Sequence, residues 1–257
     1  VLGEEHLVIA RLYSQLAHVI AQTYGRYSDA AVAESHHLYA LEILDKSANI
    51  FKKHLGEEHW ETGKVISQKG NVISEYYLQF DQSPTQRATM LMEEGLAIVE
   101  GNLGIQDPQT QLLKSLLASM YLYPGKYDKG EKEYLETLHW IEETAGSESL
   151  RLAWHWTALS VARAGQGKYS DAYNDCGRAM QVYTNLSLNT SKEYANLVYR
   201  RGIVALLMGD LENAELLLRE SSILSKKMLK SNNPRATWPA YDLGFVLSIT
   251  DSSDSYR

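Results

Sequence analysis

Leu55-Gly56-Glu57-Glu58-His59 repeats Leu2-Gly3-Glu4-Glu5-His6 letter for letter. The same punctuation returns as Leu103-Gly104 and Ala145-Gly146, then without glycine as Leu186-Ser187 and Leu229-Lys230. Positions 3, 56, 104, 146, 187 and 230 lie 53, 48, 42, 41 and 43 residues apart. A spacing that settles along the chain in this way marks a stacked-repeat protein. Each unit of such a stack buries its apolar face on its neighbours.

Apolar residues recur at spacings of three and four almost throughout, and little alternates with period two, so the chain reads as all-α. Helices of about 14–20 residues are expected between the punctuation marks. The length of 257 residues would ordinarily make one or two globular domains. A repeat array escapes that rule, and a hydrophobic fraction of 44% suffices for a continuous core. A net charge of −7 with a pI near 5.6 argues against a nucleic-acid partner and against an anionic membrane surface. Cys176 is the only cysteine, which excludes an intrachain disulfide and fits a reducing compartment, read as cytoplasmic with the nucleus left open. No apolar run has the length to cross a bilayer, and no secretory signal is visible. Because the chain opens at Val1 on a repeat-closing motif, it reads as a fragment with further repeats or another domain upstream.

The internal grammar is clearest in the later units. Ala118, Gly125 and Gly130 stand seven and then five residues apart, as do Ser160, Gly167 and Ala172, and Gly202, Gly209 and Ala214. The first small residue lets two helices of a hairpin approach, and the middle glycine makes the turn, where a positive φ costs it little. The third sits where the second helix meets the first. The turns read Gly125-Lys126-Tyr127, Gly167-Lys168-Tyr169 and Gly209-Asp210-Leu211.

These spacings, the Gly-Lys-Tyr turns and the Leu-Gly closing motif followed by Glu-His resemble the tetratricopeptide repeat (TPR) family, in its kinesin-light-chain-like branch of about 42 residues per unit. The resemblance spans about 1–249 and implies a right-handed α-solenoid of five helical hairpins plus a C-terminal capping helix. The repeats fall at about 7–56, 57–104, 105–146, 147–187 and 188–230, with a cap at 235–249 and a polar tail at 250–257 expected to fray. The expected helix pairs are 7–24 with 38–54, 60–78 with 86–102, 108–123 with 127–144, 148–165 with 169–185, and 190–208 with 211–229. The two long repeats place their extra residues at the hairpin turns, roughly Gly25 to His37 and Gln79 to Gln86, on one edge of the stack; alternatively the first insert lengthens both helices.

Each candidate for chemistry has a plainer reading. Cys176 sits where the family places a core side chain and reads as a buried structural thiol. Glu34, His36 and His37 lack metal-ligand spacing and read as a solvated rim. Glu57-Glu58-His59 resembles an acid–base group, but its repetition at an inter-repeat turn assigns it to a helix N-terminus. Trp156 reads as hairpin core and Trp154, two residues earlier, as a groove candidate. No phosphate-binding glycine loop, nucleophile elbow or paired-cysteine motif occurs, so neither catalysis nor a cofactor or metal is expected.

In the family, first helices line a concave face that takes a peptide or helix. Helical phase from each small residue selects Arg11, Ser14 and His18 in repeat one and Lys64, Ser67 and Asn71 in repeat two. It selects Leu112, Ser115 and Ser119 in repeat three, Trp154, Thr157 and Val161 in repeat four, and Asn196, Tyr199 and Ile203 in repeat five. The cap contributes Trp238, Tyr241 and Phe245, and Arg200 adjoins the set. The gradient from cationic and polar to aromatic fits a partner segment with acidic residues at one end and apolar ones at the other. The asparagine ladder typical of the kinesin-light-chain branch is replaced by Gln15, Gln68, Leu116, Ala158, Arg200 and Asp242, so its cargo mode does not carry over. The expected function is a non-catalytic protein-interaction scaffold with a protein or peptide partner, open to self-association through exposed terminal repeats. The alternatives are a regulatory or substrate-recruiting region of a larger enzyme or signalling protein, and a stack that senses a small ligand.

Overall fold

A computed structural model describes residues 3, 5–24, 30–79, 86–146, 149–228 and 237–254. Among the described residues there are eleven helices and no strand: α1 (Leu7–Tyr24), α2 (Ala30–Leu55), α3 (Trp60–Gln79), α4 (Gln86–Leu103), α5 (Pro108–Leu122), α6 (Tyr127–Ala145), α7 (Leu150–Gly165), α8 (Tyr169–Asn185), α9 (Lys192–Leu207), α10 (Leu211–Met228) and α11 (Trp238–Asp254). They divide into two compact units, residues 1–133 and 134–257.

The punctuation works as the spacing predicts. Gly56, Gly104 and Gly146 close second helices with φ of 95°, 83° and 72°, and Ser187 takes the same left-handed conformation at φ 57° without being glycine. The next helix is then capped from its own sequence. Asp107 accepts from the backbone N–H of Gln109 at 2.8 Å ahead of Pro108, and Ser191 accepts from that of Tyr194 at 3.1 Å. The repeated Glu-Glu-His stretch uses its histidine for this. His6 Nδ1 accepts from Val8 N–H at 3.1 Å, and His59 Nδ1 accepts from Glu61 N–H at 3.2 Å.

Within the first unit, small residues set the closest helix approach. A Cβ on Gly95 would lie 2.3 Å from both Gly63 O and Ser67 Oγ, and one on Gly70 would lie 2.6 Å from Ala88 O. Around these crossings Ile43, Leu44, Phe51, Val65 and Val72 form one core, and Met92, Val99, Leu113, Leu117 and Met120 another. On α1 the stripe Val8, Leu12, Leu16 and Val19 stays exposed. The same register on α3 and α5 (Val65 and Val72; Leu113, Leu117 and Met120) is buried. The second unit buries Leu159, Leu197, Val198, Leu218 and Val246. A buried ion pair there joins α7 to α8: Arg163 Nη1 lies 3.0 Å from both oxygens of Asp175, which is 1% exposed. Burial pushes the Asp175 carboxyl up, against the pull of Arg163.

Two expectations on length and one on burial change. The extra residues of repeat one do not all form a turn. Residues 30–37 are helical and lengthen α2 by two turns, because Ala-Ala-Val-Ala favours helix and Ala33 and His37 find a buried face. His37 is 4% exposed, packed edge-on to Tyr76, rather than on a solvated rim. The final helix runs to Asp254, five residues past its expected end. The remainder of the first insert at 25–29, and 80–85 of the second, lie outside the described residues.

Candidate functional site: the face of the first helices

Neighbouring first helices touch along a line of polar contacts. In the first unit Arg11 on α1 reaches Glu61 on α3 through Nε at 2.8 Å and Nη2 at 2.6 Å, and Ser14 donates to Gln68 Oε1 at 2.5 Å. In the second, Tyr199 on α9 donates to Asp242 Oδ2 on α11 at 2.6 Å. Ser14 and Tyr199 occupy one register position, and Gln68 and Asp242 another. The position that holds the asparagine ladder in the kinesin-light-chain branch therefore binds the preceding helix here.

These bonds redistribute the expected groove. Arg11 remains half exposed, but its charge is matched by Glu61, whose side chain is 7% exposed. Ser14 is buried beneath its bond to Gln68. Ser67 is fully buried against Gly95 and does not reach the open face, because the Gly63–Gly95 crossing draws α4 onto that side of α3. Asn71 donates to Glu75 on its own helix at 3.0 Å. Ser115 and Ser119 donate back to the carbonyls of Gln111 and Leu116. Lys64 is half-buried, and His18 and Leu112 are exposed. Little of the cationic end is left to hold an acidic partner.

The second unit keeps a different surface. Trp154 is 63% exposed. Thr157 donates to Ala153 O at 2.6 Å, Val161 and Ile203 are half-buried, and Asn196 is exposed. Burial and the bond to Asp242 push the Tyr199 hydroxyl well above its ordinary pKa, so it stays a neutral donor. Arg200 is half-buried. On α11, Trp238, Tyr241 and Phe245 are 49%, 81% and 55% exposed. Their spacing of three and four residues puts them on one stripe of the helix. Val246, at 0% exposed, and Leu243 face the other way, into the core.

Two other groups hold the places expected of them. Cys176 is 0% exposed, and burial pushes its thiol up, away from the reactive thiolate. Trp156 is 8% exposed under the Arg178 guanidinium, 4.4 Å from the ring centroid. Among the described residues no group of three potential metal ligands comes together, and no helix is long and apolar enough to cross a membrane. The inter-helix bonds of Ser14 and Tyr199 were missed in sequence. Their shared register was the available signal, but it shows only once each first helix is aligned on its small residue.

No protein-family profile and no curated protein sequence matches the chain. Solved structures do. A Podosopora anserina putative kinesin light chain of nearly identical TPR-like repeats is 18% identical, with a TM-score of 0.68 over 88% of this chain and 99% of that one. BtubC (BKLC) from P. vanneervenii is 18% identical, with a TM-score of 0.55 over 90% of this chain and 94% of that one. A Signal Transduction ATPase with Numerous Domains (STAND) protein with a tetratricopeptide repeat sensor, from Pyrococcus horikoshii, is 17% identical. It matches with a TM-score of 0.66 over 95% of this chain but only 34% of its own length. At such identities the likeness concerns the fold. The chain folds as TPR-like helical hairpins, structurally similar to kinesin-light-chain repeats.

Proposed function

We propose that this chain is a non-catalytic protein-interaction module that takes a peptide or helical segment on the open face of its first helices. The observation that carries this reading is the solvent-facing stripe Trp238, Tyr241 and Phe245 on α11. An isolated helix face gains nothing from three large aromatics in water. Desolvated in an interface, each such anchor contributes about 2 kcal/mol or more. Asn196 and Trp154, on the first helices of the same unit, supply a polar contact and a further ring. With Arg11 engaged by Glu61, the partner is read as an apolar or aromatic segment with no requirement for an acidic end.

The match to about a third of a larger STAND protein supports a second reading, in which the module recruits partners for a longer signalling or enzymatic chain. Both readings share the same face.

Selection of displayed peptides on this chain tests the proposal. Enrichment of segments with two or more large apolar residues is expected, with at least tenfold weaker binding to a Trp238→Ala/Tyr241→Ala variant by fluorescence anisotropy. Selected peptides that bind the double variant as tightly as the parent would overturn it.

A further inference from the structure

Repeat one exceeds the common repeat length, and part of its excess borders a cavity in the first unit. The two added turns of α2 run beside the end of α3, and Arg87 at the start of α4 closes the side. Between them lies a cavity of about 380 Å³. Leu38, Leu41, Val72 and Ile73 give it an apolar body. Asp45 and Lys69 pair across its far end at 2.5 Å and leave no net charge there.

Three polar groups remain for an occupant. His37 is 4% exposed, and its Nδ1 donates to Ala33 O at 2.8 Å. That bond fixes the tautomer and leaves Nε2 as an acceptor with no partner among the described residues. Glu34 and Arg87 line the same cavity, and neither forms an ion pair among the described residues. A carboxylic acid would satisfy Arg87 but face the repulsion of Glu34. An amine would do the reverse, and a neutral hydrocarbon would desolvate both for nothing. A ligand with both charges at one end of an apolar body meets all three groups. Its ammonium has Glu34 and His37 Nε2 as acceptors, its carboxylate has Arg87, and its side chain covers Leu38, Leu41 and Ile73. The volume is at the small end of ligand sites, which run from about 300 to 1,000 Å³.

We propose that this cavity binds a free apolar α-amino acid of leucine or phenylalanine size. The site is independent of the aromatic face of α11 and does not rest on the proposed interaction function.

Isothermal titration of the full chain with L-leucine and L-phenylalanine tests it, beside N-acetyl-leucine, which lacks the cation, and leucinamide, which lacks the anion. Saturable one-to-one binding of at least one amino acid is expected, with each analogue at least tenfold weaker. Glu34→Gln and Arg87→Gln should each weaken binding tenfold or more while circular dichroism stays unchanged, since both side chains are exposed at the rim. Trp238→Ala/Tyr241→Ala should leave it intact. No heat with either amino acid, analogues that bind as tightly as leucine, or full affinity in both rim variants would each overturn the proposal.

Discussion

The Tyr199 hydroxyl lies 2.6 Å from Asp242 Oδ2 and ties the last helix of the chain to the first helix of the preceding hairpin. Ser14 and Gln68 repeat the relationship in the first unit at 2.5 Å. A first helix thus holds its successor by one side-chain bond at a fixed register, in addition to apolar packing. Hydrogen bonds to charged groups contribute about 1.5–3 kcal/mol. Tyr199→Phe removes the donor and leaves the carboxylate half-buried. A loss of about 2 kcal/mol is expected in urea unfolding, with faster amide exchange in α11. Unchanged exchange there would sink the assignment.

Helix approach at Gly95 sets a second expectation. Gly95→Ala pushes a methyl to within 2.3 Å of Gly63 O and Ser67 Oγ, both on the facing helix, with backbone on one side unable to yield. Overpacking of this kind costs about 3 kcal/mol. Gly101, on the same helix, has nothing within 4 Å of an added Cβ. Gly101→Ala should therefore stabilise by about 0.5–1 kcal/mol through helix propensity alone. Thermal melts of the two single variants should move in opposite directions.

Ser187 stands where other repeats place glycine, with φ 57°. A left-handed conformation costs a non-glycine residue about 1–2 kcal/mol, so Ser187→Gly should raise stability by about 1 kcal/mol after its entropic cost. The reverse change, Gly146→Ala at φ 72°, should lower it although its surroundings are open. Denaturation midpoints that shift the same way for both would contradict the reading.

His155 is 9% exposed, edge-on to Tyr134, with Nδ1 bonded to Arg151 O at 2.8 Å. Burial holds its pKa below the ordinary 6.5. The folded state therefore binds this proton less readily than the unfolded chain. Its contribution to stability is complete above pH 6.5 and is lost as the pH falls through that value towards the folded pKa. Urea midpoints at pH 7.5 and 5.5 should differ more for the parent than for His155→Gln. Equal differences would show that His155 is not the titrating group.

Much of this was legible in the chain itself. Small–Gly–small spacing located the paired helices of the last three hairpins to within two residues, since a left-handed turn and a close helix crossing each admit few side chains. The Leu-Gly marks found the helix ends, including Ser187. The burial of Cys176 and Trp156 followed from their phase against Ala172 and Ser160. The groove was only partly legible. Phase puts Ser67 and Ser14 on the right side of their helices, but phase does not report which neighbour covers that side. Ser67 disappeared under α4, Ser14 under Gln68, and Arg11 lost its free charge to Glu61.

The sequence by itself determined what is local and periodic: helices, turns, caps and the repeat length, because these depend on backbone conformation and on residues a few positions apart. Only the tertiary structure decided what depends on residues about fifty apart. It chose the helix-to-helix bonds of Arg11, Ser14 and Tyr199, left the rings of Trp238, Tyr241 and Phe245 in solvent, and set the added turns of α2 beside a cavity at His37. Those outcomes rest on which side chains meet across a packed interface, and helical periodicity gives a side chain its direction without giving it a partner.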